Sequence, residues 1–415
     1  MEDAKTERKE IVSTLKAYQS TLDELKLQYE YVNNLSTREQ AKFALKRADN
    51  LVTIEGWIEE ENGSQFLQTI KNKFDELIVA KVHPLNQNDY KTVPTKLKNK
   101  AIVKPYEMIT TMYGLPNYKE VDPTPFVMPF YWLFFGMMLG DLGYGLVLVV
   151  AALIPLKTFK LTESTKDTLK LVFSLGLSGV VWGAIYGSFF GFTIEWMQLI
   201  DLQSSVMEVM VLSLAIGMVH MGIAFGINTY LQIKDKNYAK AYADGLHWII
   251  VLIGIAVAAL GFLFPSLSAL TNVGLGMILL SFIGMIIANI IDAKGISGLG
   301  TSLLGFLNAV SYFGDIISYS RLMALGLSGI SIGAAFNIIV GQIPFIGRVT
   351  LGVVLFIVLH LFNMFLSLLT GGVHSLRLIF VEFFGKFYTG NGRPFKPLQI
   401  NEKYVSIKKN QEVKE

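Results

Sequence analysis

A mostly α-helical, polytopic membrane protein with a partial soluble arm at its amino end is what this sequence predicts. Three observations carry the prediction. Hydrophobic residues make up 52% and charged residues 17% of the 415, a balance that suits a helix bundle in lipid better than a soluble fold needing a polar surface. The apolar residues concentrate after residue 125 in tracts long enough to cross a bilayer, which takes about 20 residues each. Residues 1–120 are polar and charged, without the short apolar core of a cleaved targeting segment. A net charge of +3 is too small to argue for nucleic acid, and the absence of cysteine excludes disulfides, thiolate metal sites and cysteine nucleophiles.

In the arm, Ile11, Leu15, Tyr18, Leu22, Leu25, Tyr29 and Val32 alternate spacings of four and three, the seam of a coiled coil. Such a seam needs a partner helix, and no second heptad stretch of similar length follows it. Ser36-Thr37-Arg38-Glu39 has capping-box spacing and predicts a helix restarting after Asn33-Asn34 and running to about Arg47. Leu51 to Ile58 alternates like a strand, Phe66 to Leu77 reads as a helix, and Ile78 to Val82 as a further strand, together a small α/β unit. Pro84 to Lys100 is the expected linker, and Asp122-Pro123-Thr124-Pro125 marks a helix start at the membrane border. The expected domains are an arm at 1–125, a membrane domain at 126–390 and a tail at 391–415.

Spanning stretches are read at about 169–194, 207–232, 242–264 and 271–292, with longer tracts at 299–341 and 350–388. The tract 126–156 is either one long helix or two short ones reversing at Gly140-Asp141-Leu142-Gly143. Lysines decide for the reversal. With a cytoplasmic amino end, only the hairpin places Lys157, Lys160, Lys166, Lys234, Lys236 and Lys240 on the cytoplasmic side, and Glu195 and Asp201 opposite. The count becomes eight transmembrane helices, the last two long and tilted, with residues 299–316 a helical lead-in or partial re-entry and a cytoplasmic carboxyl tail. The run Gly183 to Gly191 places small residues at i, i+4 and i+8, a pattern for close helix packing.

Two arginines, Arg321 and Arg377, fall in the most apolar third of the chain. A guanidinium cannot shed its charge, so within a bilayer it is a functional candidate by default. The alternative is structural, an arginine that satisfies carbonyls at a helix break or reaches an interface. His374 lies three residues before Arg377 on the same helical face. Around them Ser318, Ser328, Ser331, Asn337, His360, Asn363, Ser367 and Thr370 can line a hydrated path or bond between helices. Asp141, Asp244, Asp315 and Glu382 are the acidic residues in or beside these segments; Asp141 reads as a turn residue.

At these motifs the chain resembles the membrane-embedded stator subunit of rotary V-type and archaeal-type ATPases, called subunit a or, in the bacterial form, subunit I. The matching stretches are Tyr118 to Pro125, Phe130 to Gly145, Trp182 to Gly191, Ser318 to Leu327 and His374 to Glu382, with Leu51 to Trp57 and Pro94 to Asn99 in the arm. The resemblance implies a longer soluble arm than the one present, which would supply the missing coiled-coil partner. It implies two half-channels formed against a ring of proteolipid c subunits, each ring subunit carrying one mid-membrane carboxylate. Arg321 takes the position of the essential stator arginine, and Arg377, beside His374, that of the second arginine. Half-channel candidates are Ser318, Ser328, Ser331, Asn337, Asn363, Ser367, Thr370, Asp315 and Glu382. Ser367 stands where the eukaryotic proton pumps carry an acidic residue, which favours Na+ over H+ as the translocated ion.

The implied partners are the c-ring, a central-stalk d-type subunit, peripheral-stalk E/G-type subunits and lipid, in a bacterial plasma membrane with both termini cytoplasmic. No cofactor and no tightly bound metal are expected. There is no Gly-x-x-x-x-Gly-Lys-Ser/Thr run, so ATP chemistry belongs to other subunits and this one is not catalytic by itself. Two other readings are a secondary cation transporter using Arg321 and Asp315, and an intramembrane aspartyl protease pairing Asp141 with Asp315. The first lacks internal repeats and the second lacks supporting motifs.

Overall fold

The computed structural model describes residues 2–398 and Tyr404, apart from 44, 49–50, 75–76, 86–89, 91, 160 and 296. The chain divides into two compact units, Met1–Lys96 with Arg393–Glu415, and Leu97–Gly392. The second unit therefore begins ahead of the border expected at 126.

In the first unit, α1 (Glu2–Phe43) is one unbroken helix of 42 residues, so the restart expected at Ser36 does not occur. The hydroxyl of Thr37 donates to the carbonyl of Asn33, 2.9 Å away, and so serves the helix from inside instead of capping a new one. The seven seam residues from Ile11 to Val32 are all exposed. β1 (Lys46–Ala48) pairs antiparallel with β2 (Leu51–Thr53), and the strand expected to Ile58 stops there. α2 (Glu60–Phe74) starts earlier than its apolar pattern suggests, with Glu60 and Glu61 in its first turn and Lys71 and Lys73 in its last, each sign complementing the helix dipole. Residues 78–82 form no strand, since no neighbour pairs with them among the described residues. Within the expected linker, β3 (Pro94–Thr95) pairs with a partner late in the chain, Arg393–Pro394.

The second unit opens with α3 (Glu107–Tyr113) and then places α4 (Thr124–Leu139) where the prolines predict, with Pro125 in its first turn. The reversal is present. Gly140 ends α4 in the left-handed region (φ 56°), and Asp141, extended, caps α5 (Leu142–Thr158) by accepting from the amide of Tyr144 at 3.0 Å. Both short helices pack on α6 (Glu163–Tyr186), and glycine contacts give the directions. A Cβ on Gly136 would meet Ser178 and Trp182, whereas one on Gly183 would meet Leu142 and one on Gly145 would meet Val180. Along α6, α4 thus runs parallel and α5 antiparallel, and the two diverge from the turn to straddle it.

The third helix ends at Tyr186, short of the expected 194. Gly187 closes it at φ 67°, and β4 (Ser188–Phe189) turns through Phe190 and Gly191 into β5 (Phe192–Thr193). Of the small residues in that run, Gly183 serves helix packing while Gly187 and Gly191 serve turns. α7 (Val206–Lys234), α8 (Tyr238–Ala241), a π-helical turn at Tyr242–Leu246, α9 (His247–Leu263) and α10 (Ala269–Asp292) follow, with α9 and α10 in close contact at Gly254, Gly261 and Gly274.

α11 (Gly298–Ser318) and α12 (Ser320–Gly341) form one 44-residue helical tract interrupted only at Tyr319. The lead-in expected at 299–316 is thus a full helix. After α13 (Phe345–Gly347), α14 (Val353–Arg377) continues through a π-helical turn at Leu378–Phe383, completing a tract of 42 residues from Phe345 to Lys386. At 1.5 Å per residue these tracts reach about 66 and 63 Å, roughly twice a hydrocarbon core of about 30 Å. Among the described residues six helical tracts are long and apolar enough to cross a membrane; α4 and α5, with 16 and 17 residues, are shorter apolar helices. The larger buried core joins α4 to α7, α9, α11, α12 and the π-helical turn after α14, and a small second cluster gathers Ala243, Met285 and Ala288.

Candidate functional site

The interruption at Tyr319 shapes the site. Tyr319 is wholly buried, its ring against Gly217 and its hydroxyl 2.8 Å from Nδ1 of His220. Two residues later the side chain of Arg321 folds back, and its Nε donates to the carbonyl of Ser318 at 3.0 Å. The structural role foreseen for a buried arginine, satisfying a carbonyl at a helix break, is therefore one thing Arg321 does. It uses one nitrogen for it. Nη2 donates to Oε1 of Glu382 at 3.1 Å, and Nη1 is buried without a hydrogen-bond partner.

Glu382 comes from the π-helical turn that ends the second tract, and its side chain is 2% exposed against 20% for Arg321. A π turn adds one residue to a helical repeat and rotates the side chains that follow. Glu382 is directed inward, like Ser375 two turns before it, while Val381 faces out. His374 lies within electrostatic reach of both Arg321 and Arg377. Three polar atoms here are buried and unpartnered: Arg321 Nη1, Glu382 Oε2 and His374 Nδ1. Buried polar groups are normally satisfied, so such a cluster marks a place for water or an ion.

Arg377 is placed differently. Val353, Ile357, Leu361, Phe365, Leu369, Val373 and Val381 are all exposed at four-residue spacing, and exposed Arg377 occupies the same row. It is the cation on an outward apolar ridge. The facing side of α12 carries small residues outward at Ala324, Ser328 and Ala335, in line with Arg321. Asp315 is paired with a different cation. Its Oδ2 accepts from Lys386 Nζ at 2.5 Å, and the ammonium also lies 3.9 Å from the centre of the Tyr312 ring. Lys386 was not foreseen, because a lysine at a helix end reads as an interfacial anchor.

The other predicted residues divide between helix-internal bonds and a second cluster. Ser318 Oγ donates to Gly314 O and Thr370 Oγ1 to Leu366 O, both within their own helices. Ser328 faces outward, Ser331 is half-buried, and Ser367 is buried against Gly329. Asn363 donates to the Tyr144 hydroxyl and to Gly329 O, Tyr144 lies 2.8 Å from His360 Nδ1, and His360 Nε2 lies 3.0 Å from Asn337. Asn337 in turn donates to Phe190 O. This cluster meets α12 from Gly329 to Asn337, about 12 to 24 Å from Arg321 at 1.5 Å per residue.

Asp141 anchors the neighbouring loop. It accepts from Tyr144 N, Phe190 N, Gly191 N and Ser188 Oγ at 2.7 to 3.0 Å. Four donors stabilise its carboxylate without a cation, so it is a structural hub. Neither Asp141 nor Asp315 has a carboxylate partner, which leaves no proteolytic dyad, and the carboxylate of Arg321 is Glu382, not the Asp315 a transporter was to use. Among the described residues no group of three or more His, Asp or Glu is placed to hold a metal ion.

Long apolar helices that enclose an arginine–glutamate pair with unsatisfied buried polar atoms define a helical membrane protein with a buried charge site. Residues 1–198 match the V-type ATPase 116kDa subunit family. It is similar to the A-type ATP synthase subunit I of Methanocaldococcus jannaschii, 29% identical over 97% of this chain and 63% of that protein. The A-type ATP synthase subunit I of Pyrococcus abyssi is 31% identical over 87% of the chain and 56% of its own length. The V-type ATP synthase subunit I of Borreliella burgdorferi is 29% identical over 74% and 54%. The chain thus spans 63% or less of the length of these relatives. They are named as subunit I of an A-type or V-type ATP synthase.

Proposed function

We propose that this chain is the ion-translocating stator region of a rotary ATPase, coupling the passage of Na+ or H+ to ATP hydrolysis or synthesis on other subunits. The observation that carries the reading is the state of Arg321: one nitrogen on Ser318 O, one on Glu382, and one buried and unpartnered. A guanidinium so placed attracts an ion-free carboxylate on a passing proteolipid, displaces its bound ion, and bars direct flow between two half-channels. The c-ring lies along the row from Val353 to Val381, with Arg377 engaging it and the small outward residues of α12 giving it room.

One half-channel ends among Glu382, His374 and Arg321. The other contains Asn337, Asn363 and Ser367, together with Tyr144 and His360. Sodium is favoured because this second path offers neutral oxygen and nitrogen groups, with Ser367 in place of a titratable relay. In the membrane the chain crosses eight times. α4 and α5 supply the first two crossings, and the lysines at Lys157, Lys166, Lys234, Lys236 and Lys240 keep both termini cytoplasmic in a bacterial plasma membrane. Its arm contacts central-stalk d-type and peripheral-stalk E/G-type subunits.

The test is Arg321→Ala in the whole complex. Coupled ion transport is lost while assembly persists; normal transport refutes the assignment. Arg377→Ala reduces transport without abolishing it. Sodium stimulation of ATPase activity at fixed pH decides the ion, and proton pumping with no such stimulation decides against sodium.

A further inference from the structure

Arg321 is one of four charges that form two neighbouring pairs, each joining the first long tract to the second. The end of the second long tract presents Glu382 and, one turn on, Lys386; the first tract presents Asp315 and, beyond the break at Tyr319, Arg321. Glu382 meets Arg321 at 3.1 Å, and Lys386 meets Asp315 at 2.5 Å. Each carboxylate has one cation. The Lys386 and Asp315 side chains are 7% and 17% exposed, so water does little to screen either charge. Asp315 also lies within electrostatic reach of Glu382.

The conformation of Arg321 makes this arrangement consequential. Its Nε is bound to Ser318 O, one turn from Asp315, so the guanidinium is drawn back toward the carboxyl end of α11. Asp315 and Arg321 both act electrostatically on Glu382 and on Tyr319, so an Asp315 without its lysine would be a second carboxylate in the field of the guanidinium. A guanidinium held between two internal carboxylates has its charge offset twice over, which weakens its pull on an external one.

We propose that Lys386 is a positioning residue for Arg321: by engaging Asp315 it limits Arg321 to one internal carboxylate, Glu382, and keeps a guanidinium donor available for an acidic group brought from outside the chain. The proposal rests on the stator reading of Arg321 given above. Tyr312 contributes by holding the Lys386 ammonium against its ring face, which restricts the lysine to the Asp315 side.

The experiment uses the complete complex in vesicles, with ATP-driven uptake of radioactive sodium and quenching of a pH-sensitive dye read in parallel, and subunit content measured for each variant. Lys386→Met exposes Arg321 to Asp315 and lowers transport at least about tenfold, the equivalent of a 1.4 kcal/mol change in barrier. Adding Asp315→Asn removes the competing charge and restores transport to within about threefold of the parent, a departure from additivity expected only of coupled residues. A pair acting as a mechanical latch is absent from both variants, so a double variant as impaired as Lys386→Met overturns the proposal, as does an unaffected Lys386→Met.

If Lys386→Met fails to assemble, Asp315→Asn with Lys386→Gln carries the test. Its neutral, hydrogen-bonding pair retains transport if competition is the issue, and loss of assembly or of transport overturns the proposal. Arg321→Ala is run alongside. Normal transport in that variant removes the stator reading itself, whereas its inactivity together with an indifferent Lys386→Met removes only the role of Lys386.

Discussion

Glu382→Ala removes the carboxylate facing Arg321 and leaves a guanidinium that cannot lose its charge in an apolar setting. Breaking a buried ion pair from one side costs about 3–5 kcal/mol. Two features reduce this here: Arg321 is 20% exposed, and it keeps its bond to Ser318 O. The expected loss is therefore about 2–3 kcal/mol. Arg321→Ala is the milder change for stability, because the carboxyl left behind can take up a proton and become neutral. The double variant then lies close to Arg321→Ala. Denaturant unfolding of the purified membrane protein in detergent, followed by tryptophan fluorescence for the parent, both single variants and the double, yields the coupling energy. A coupling below about 0.5 kcal/mol, or Arg321→Ala proving the more damaging single change at neutral pH, refutes the view that the pair is buried and mutually required.

Two further outcomes are expected. Asp141→Ala strands four donors, those of Tyr144, Ser188, Phe190 and Gly191, and costs about 3 kcal/mol or more; proteolysis at the 187–193 turn reports the freed loop, and an unchanged cleavage rate counts against the hub. Tyr388, outside the spanning tracts, donates to Gly114 O at 2.5 Å, and burial holds its phenol well above the usual pKa of 10. In alkali the unfolded chain loses this proton first, so the contribution is complete below pH 10 and is lost as pH rises toward the folded value. Thermal unfolding across that range falls off more steeply for the parent than for Tyr388→Phe; parallel curves refute this.

The sequence was informative wherever a residue's own chemistry sets its behaviour. Pro123 and Pro125 announce the start of α4, Gly140 and Asp141 announce the reversal, and Arg321 announces a site because a permanent charge in an apolar run needs a reason. Glu382 was named among the candidates that the resemblance implies, yet nothing in the sequence says that its partner is Arg321, 61 residues away. The inward direction of Glu382 agrees with a regular helical period, since it follows buried Ser375 by two turns. The strand expected at 78–82 failed because a strand exists only where a neighbour pairs with it.

Local chain chemistry thus determined the apolar tracts, the turns and the unusual charges. Tertiary packing alone decided their partners. Lys386 meets Asp315 and leaves Arg321 to Glu382, His360 and Asn337 join Tyr144, and Arg377 stands on an outward ridge while Arg321 is turned inward. The physical reason is range. Helix propensity and capping act within a few residues, whereas charge pairing in a low-dielectric core depends on distances of a few ångströms between segments far apart in sequence.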